Sequence, residues 1–231
     1  MTVPLIVAPD GFDRWRQAIA DPAGVAAAFT ETLPMCADRD SLFAPIRTPL
    51  DTPMGEHRPS DDPRVYVSIA SYYWPTPGAP GGLPYVSHDG RFSPRNYDFH
   101  IYDFEKCCNR VFWLGRRALL LDDGEALALA EAWLDAWFVD ETTSLYPHLN
   151  HAQFIPGQRD GWAVGTIDFG TRLPGVIDTV RALGTRLSSR VRQGFDRWAD
   201  ALLDWLIDGP YTPWLVGTDR NNIGTYYDLL V

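Results

Sequence analysis

Two polar segments and one aromatic segment hold the residue types best suited to chemistry. The first polar segment is Leu149-Asn150-His151-Ala152-Gln153, and the second is Asn221-Asn222-Ile223-Gly224-Thr225-Tyr226-Tyr227-Asp228 with Arg220 before it. Amide side chains hydrogen-bond a carboxylate without being consumed. Asparagines at a helix start can aim such donors beside free backbone N–H groups. Upstream lie Tyr72, Tyr73 and Trp74, then His88-Asp89-Gly90, where exposed rings would offer stacking faces. Each feature also has a plainer reading. Asn221 or Asn222 can be a helix N-cap, Asn150 a turn former and Gln153 a loop residue satisfying backbone groups. Tyr72, Tyr73 and Trp74 can simply pack a loop, and Asp89-Gly90 is first a turn. His88, His100, His148 and His151 lack the i, i+4 spacing of a helical metal site, so structural or substrate-contact roles come first and no metal or cofactor is called for.

The elements that must position these groups are mainly helical. Over residues 12–43 Phe12, Trp15, Ile19, Val25, Phe29 and Leu33 recur at helical spacings, with Pro22 dividing two short helices. Residues 44–100 are rich in Pro and Gly, as in Trp74-Pro75-Thr76-Pro77-Gly78-Ala79-Pro80-Gly81-Gly82, and show no periodicity. A segment of this length inside a domain is usually functional or disordered, and its tyrosines and tryptophan argue for order, as a groove wall. Helices are expected over 104–121, 125–138, 173–187 and 191–207, with a last start near Asn222. In the fourth of these Phe195, Trp198, Leu202 and Trp205 mark a core face. Residues 140–168 read as irregular. No fixed-period repeat recurs, which argues against a solenoid.

The chain of 231 residues is long enough for one substantial core. A formal charge of −10 argues against nucleic-acid or anionic-membrane partners, which are bound by basic patches. Lys106 is the only lysine, so positive charge is almost all arginine, the side chain that grips carboxylates with a two-pronged fork. Cys36, Cys107 and Cys108 form neither a metal nor a disulfide pattern and read as buried thiols. The segment from Met1 to Pro9 lacks the basic start of a signal peptide, and no stretch approaches the ~20 apolar residues of a membrane span.

Three segments together resemble the alginate lyase domain family. Tyr72-Tyr73-Trp74-Pro75, leading to Pro84-Tyr85-Val86-Ser87-His88-Asp89-Gly90, is similar to a Tyr-Trp-Trp-Pro loop followed by Pro-Tyr-Val-Arg-Arg-Asp-Gly. Asn150-His151-Ala152-Gln153 precedes Pro156-Gly157 and Gly165-Thr166-Ile167-Asp168, and Asn221 to Asp228 is similar to Asn-Asn-His-Gly-Thr-Trp-Tyr-Asp. The order and spacing agree over roughly residues 12–231.

The resemblance implies an all-α fold, an (α/α) toroid of inner and outer helices whose long loops build a groove, in one domain over residues 1–231. It implies β-elimination on an acidic polysaccharide, a uronate polymer, in a periplasmic or secreted setting. A base removes the C5 proton and an acid protonates the departing O4, while hydrogen bonds to the neighbouring carboxylate stabilise the enolate. Asn222 and Gln153 are carried over as the carboxylate-neutralising catalytic pair, with Asn150, His151, Tyr73, Trp74, His88, Arg220 and Tyr227 as substrate contacts. The sequence departs from the pattern where Ile223 stands for the family's His, and where His151 stands for the usual Tyr. The family's catalytic Tyr and Arg lie downstream of this motif, so the toroid is expected to be incomplete and its C-terminal edge, with Leu229 to Val231, to be open to self-association. A non-catalytic glycan-binding member is the alternative function.

Overall fold

The computed structural model describes Gly11, Arg14, Gln17, residues 42–217 and residues 221–231. Most of the helical pattern expected over 12–43, together with Cys36 and Arg220, lies outside the described residues.

The long Pro- and Gly-rich segment is ordered against the helices. It carries three short strands that its sequence does not announce: β1 (Val67–Ile69), β2 (Tyr73–Trp74) and β3 (Val86–Ser87). Strands of two or three residues are too short for an alternation to register, and β1 is buried along its whole length. Specific bonds fix the segment. Trp137 Nε1 donates to the Arg47 carbonyl at 2.6 Å, Arg64 Nε donates to the Ser144 carbonyl at 2.8 Å, and His100 accepts from Val67 N on Nδ1 while its Nε2 donates to the Pro63 carbonyl.

The helices begin with α1 (His100–Leu121). Its buried face repeats at Phe104, Cys107, Cys108, Val111, Leu114 and Ala118, the spacing of an amphipathic helix. It starts earlier than its periodicity implies, because a 3-10 turn, Pro94–Asp98, and an extended Phe99 deliver the chain with no polar cap to mark the entry. Asp122, in the left-handed region at φ 53°, ends it. The Asp123 carboxylate then accepts from Ala126 N to open α2 (Gly124–Leu134), which widens into a π turn over Asp135–Val139. So tight a link makes α1 and α2 an antiparallel pair. After β4 (His151–Phe154) come α3 (Thr166–Gly170), α4 (Leu173–Leu183), α5 (Ser189–Asp208), α6 (Thr212–Gly217) and α7 (Asn222–Leu230).

The architecture is all-α, of the (α/α)-toroid type. Helix α1 packs on both α2 and α4. The centre of the core is aromatic: Phe104 stacks on Phe169 at 4.4 Å, Tyr66 meets Phe169 edge-on at 4.9 Å, and Phe138 meets Trp198 at 4.8 Å. Trp198 is buried with its indole N–H on the Leu145 carbonyl, a core role. A smaller apolar cluster, including Ile69, Phe99 and Phe154, lies under the strands, and Trp162 packs against both clusters. Leu202 is buried and Trp205 half-buried, whereas Leu229 and Val231 are exposed in a groove of mixed polarity lined by residues of α4, α5 and α7. Among the described residues no helix is long and apolar enough to cross a membrane.

Candidate functional site

A cavity of about 810 Å³ opens where the strand segment meets α1, α3 and α7. Three spacings explain its lining. On α1, Ile101, Glu105 and Asn109 recur every four residues and so share one face. Antiparallel pairing sets Tyr73 opposite Ser87, and paired residues point to the same side of a sheet; both line the cavity. Around α3, Ile167, Asp168, Thr171 and Arg172 turn inward, and Trp162, Trp214, Tyr72 and Phe92 complete an aromatic rim.

Gln153 reaches the cavity through an irregularity in β4. Strands β1 and β4 run parallel, with Val67 opposite His151 but Ile69 opposite Phe154, so β4 carries one extra residue. Gln153 takes it up at φ 53°, in the left-handed region that a non-glycine residue seldom adopts. Its side chain is held at both ends. Nε2 donates to Asp168 Oδ1 at 2.8 Å and Oε1 accepts from Ser71 N at 3.3 Å, while its backbone N donates to Ser68 Oγ. An amide nitrogen has two hydrogens, so one donor remains for a ligand.

Beneath it, Asp168 is 2% exposed and collects three donors: Gln153 on one oxygen, Ser68 Oγ at 2.5 Å and Tyr66 OH at 3.1 Å on the other. Burial raises its pKa above the ordinary carboxylate value, while the Ser68 and Gln153 hydrogen bonds and the Arg172 charge pull the other way. Burial also pushes Tyr66 well up, helped by the Asp168 charge. This buried cluster is a scaffold for Gln153. Sequence reasoning placed Asp168 in a motif but gave it no role.

Asn222 arrives on α7, and the division of labour between the two asparagines is now visible. Asn221 is the N-cap, its Oδ1 accepting from Ile223 N at 2.8 Å and Gly224 N at 3.2 Å. Asn222, in the next position, lines the cavity with Ile223. Helix α7 can lie this close to α3 because residue 170 is glycine, since a Cβ there would sit 2.6 Å from the Tyr226 Cβ.

Other expected contacts are not brought to this cavity. Trp74 and His88 each follow an inward residue, Tyr73 and Ser87, and successive strand residues face opposite ways. They pack edge-on against each other, and the Trp74 indole donates to the Arg91 carbonyl. Asn150 is taken up in packing: its Oδ1 accepts from Trp205 Nε1 and its carbonyl accepts from Tyr211 OH. His151 turns its Nδ1 to the Asp160 carbonyl. Tyr227 is buried, its hydroxyl donating to the Leu206 carbonyl. Arg220 lies outside the described residues. Of the nine site residues expected from sequence, Gln153, Asn222 and Tyr73 line the cavity.

Glu105 and Arg172 are the charged pair that sequence reasoning missed. Arg172 Nη2 lies 2.9 Å from Glu105 Oε2, and its Nη1 donates to the Asp168 carbonyl and to Thr171 Oγ1. Burial works against the Arg172 charge, but the hydrogen bond and charge of Glu105 outweigh it and raise its pKa. These residues lie 67 positions apart, and nothing local to either one signals the other. Among the described residues there is no cluster of three or more His, Cys, Asp or Glu that could hold a metal ion.

Comparison with known proteins bears on this geometry. None of the curated proteins matches the chain. A crystal structure of an alginate lyase from Bacteroides ovatus superposes with a TM-score of 0.85 at 26% sequence identity, covering 99% of this chain and 59% of that one. The chain therefore spans 59% of the length of that lyase. The sequence model of the alginate lyase family matches residues 52–231, a range that includes every described residue lining the cavity, and the chain belongs to the alginate lyase family.

Proposed function

We propose that the cavity binds a uronate-containing polysaccharide and serves its cleavage by β-elimination. The observation that carries the reading is that two amides distant in sequence, Gln153 and Asn222, line one cavity, one of them locked by a buried carboxylate. Elimination next to a carboxylate is slow because the C5 proton is weakly acidic. Fixed donors on the carboxylate oxygens stabilise the charge that develops as the proton leaves, and they do so best when held before the substrate arrives. Gln153 is so held, and Asn222 sits at the first position of α7. Tyr72, Tyr73, Phe92, Trp162 and Trp214 supply ring faces on which pyranose rings stack.

One observation favours a second reading. Ile223 lines the cavity where the family pattern has a histidine, and an aliphatic side chain neither takes a proton nor hydrogen-bonds a carboxylate. Under that reading the chain binds the polysaccharide without cleaving it.

Incubation with polymannuronate, polyguluronate and polyglucuronate, following the ultraviolet absorbance of the unsaturated product, separates the two. Product formation that Asn222→Ala abolishes supports the lyase. Binding without product supports the second reading. Neither binding nor product on any of the three polymers overturns both.

A further inference from the structure

The Glu105–Arg172 pair is built as a half-filled carboxylate site. The Nε–Nη2 edge of a guanidinium is suited to receive both oxygens of a carboxylate at once. Here Glu105 uses only the Nη2 end, while Nε is shut off from solvent without a partner among the described residues. The other end of the fork is committed to the protein through the Asp168 carbonyl and Thr171 Oγ1, so the guanidinium is fixed in place. Its side chain is 21% exposed, and that of Glu105 is 45% exposed. Arg172 is also the only Lys, Arg or His among the described residues lining the cavity.

We propose that Arg172 reads substrate charge in this cavity and that Glu105 is its internal competitor: a uronate carboxylate binds by displacing Glu105 from Nη2. The inference rests on the reading that the cavity takes a uronate polymer, and it names the residue that decides between charged and neutral sugars. A neutral sugar leaves the pair intact. The departure of Glu105 must also uncover Nε, which solvent does not reach while the pair is intact; a uronate then exchanges a one-point contact for a two-point one, and because Glu105 is partly in water its pairing is weak enough to give way. Burial keeps Arg172 from being fully hydrated in the absence of ligand, so its demand for a carboxylate is met by Glu105 until substrate arrives.

The test titrates the whole chain with a mannuronate tetrasaccharide and with its neutral counterpart, mannotetraose, at low and high salt. Glu105→Gln preserves shape and removes the competing charge. It is expected to bind the uronate roughly two- to fivefold more tightly at low salt, the range that removal of a partly exposed pair allows, with mannotetraose affinity unchanged. Arg172→Gln is expected to weaken uronate binding about tenfold or more and to leave mannotetraose alone. Arg172→Lys keeps the charge but lacks the two-point edge, and should fall between them. Thermal melting identifies any variant that fails to fold, and the salt dependence of the parent then stands in for it: uronate binding should weaken with salt and mannotetraose binding should not. Uronate binding by the parent that is unchanged or weaker in folded Glu105→Gln, or insensitive to salt, overturns the inference and leaves the proposed function standing. A parent and variants that bind no uronate overturn the proposed function, and the inference with it.

Discussion

Gln153 and Asp168 form one unit: the amide that faces the cavity owes its orientation to a buried carboxylate 2.8 Å behind it. Asp168→Ala would leave the Tyr66, Ser68 and Gln153 donors without their buried acceptor, and each unsatisfied buried donor costs about 1–3 kcal/mol. We expect a loss of about 3 kcal/mol or more in urea unfolding and roughly tenfold weaker oligouronate binding. Asp168→Asn keeps one acceptor oxygen and should recover part of both. If Asp168→Ala binds the oligosaccharide as the parent does, Gln153 does not depend on this clamp.

The adjacent asparagines should separate cleanly. Asn221→Ala removes an N-cap that serves two backbone N–H groups and should cost about 1 kcal/mol of stability. Asn222→Ala touches no cap and should change stability by less than about 0.5 kcal/mol while weakening oligouronate binding. Paired melting and titration curves decide, and the reverse pattern would assign the ligand role to Asn221.

Legibility in the sequence follows the length of each element. Helices α1, α2, α4 and α5 were legible because each keeps one apolar face over three or more turns, as Phe195, Trp198 and Leu202 do on α5. Their ends were less so: α1 begins at His100 with no side-chain cap, and α2 passes into a π turn that preserves the apolar pattern. The strands escaped notice because two to four residues give no period. In the cavity, Gln153 and Asn222 stood out by motif. Trp74 and His88 were expected beside Tyr73, yet a single step along a strand turns a side chain to the other face. Glu105 lies on α1 and Arg172 at the N-cap of α4, so only the packing of α1 on α4 brings them together.

Gly170→Ala should show how much the cavity depends on the approach of α7. The added methyl meets the Tyr226 side chain, and overpacking of this kind costs about 1–3 kcal/mol. Because Asn222 rides on the same helix, ligand binding should weaken along with stability. A stable, fully binding Gly170→Ala protein would mean that α7 can shift without disturbing the cavity.

Stability should fall as pH drops below the ordinary histidine value of about 6.5. Burial lowers the pKa of His100, and its hydrogen bonds to Pro63 and Val67 offset only part of that; burial lowers His148 as well. With the folded-state pKa below the unfolded one, the unfolded chain binds more protons from pH 6.5 downward, so acid favours unfolding in that window. His100→Phe should be less stable at pH 7, because Val67 N and the Pro63 carbonyl lose their partner, yet its stability should change less between pH 7 and pH 5. Urea melts across that range measure both, and an unchanged slope would remove His100 from the explanation.

The most direct measurement is a crystal structure of the chain with a bound mannuronate tetrasaccharide. Sugar rings should lie among Tyr72, Tyr73, Trp162 and Trp214, with one carboxylate within hydrogen-bond reach of Asn222 and the remaining Gln153 Nε2 hydrogen, and another at Arg172 with Glu105 turned away. Oligosaccharide bound elsewhere on the molecule, with this cavity empty at saturating ligand, would contradict this arrangement.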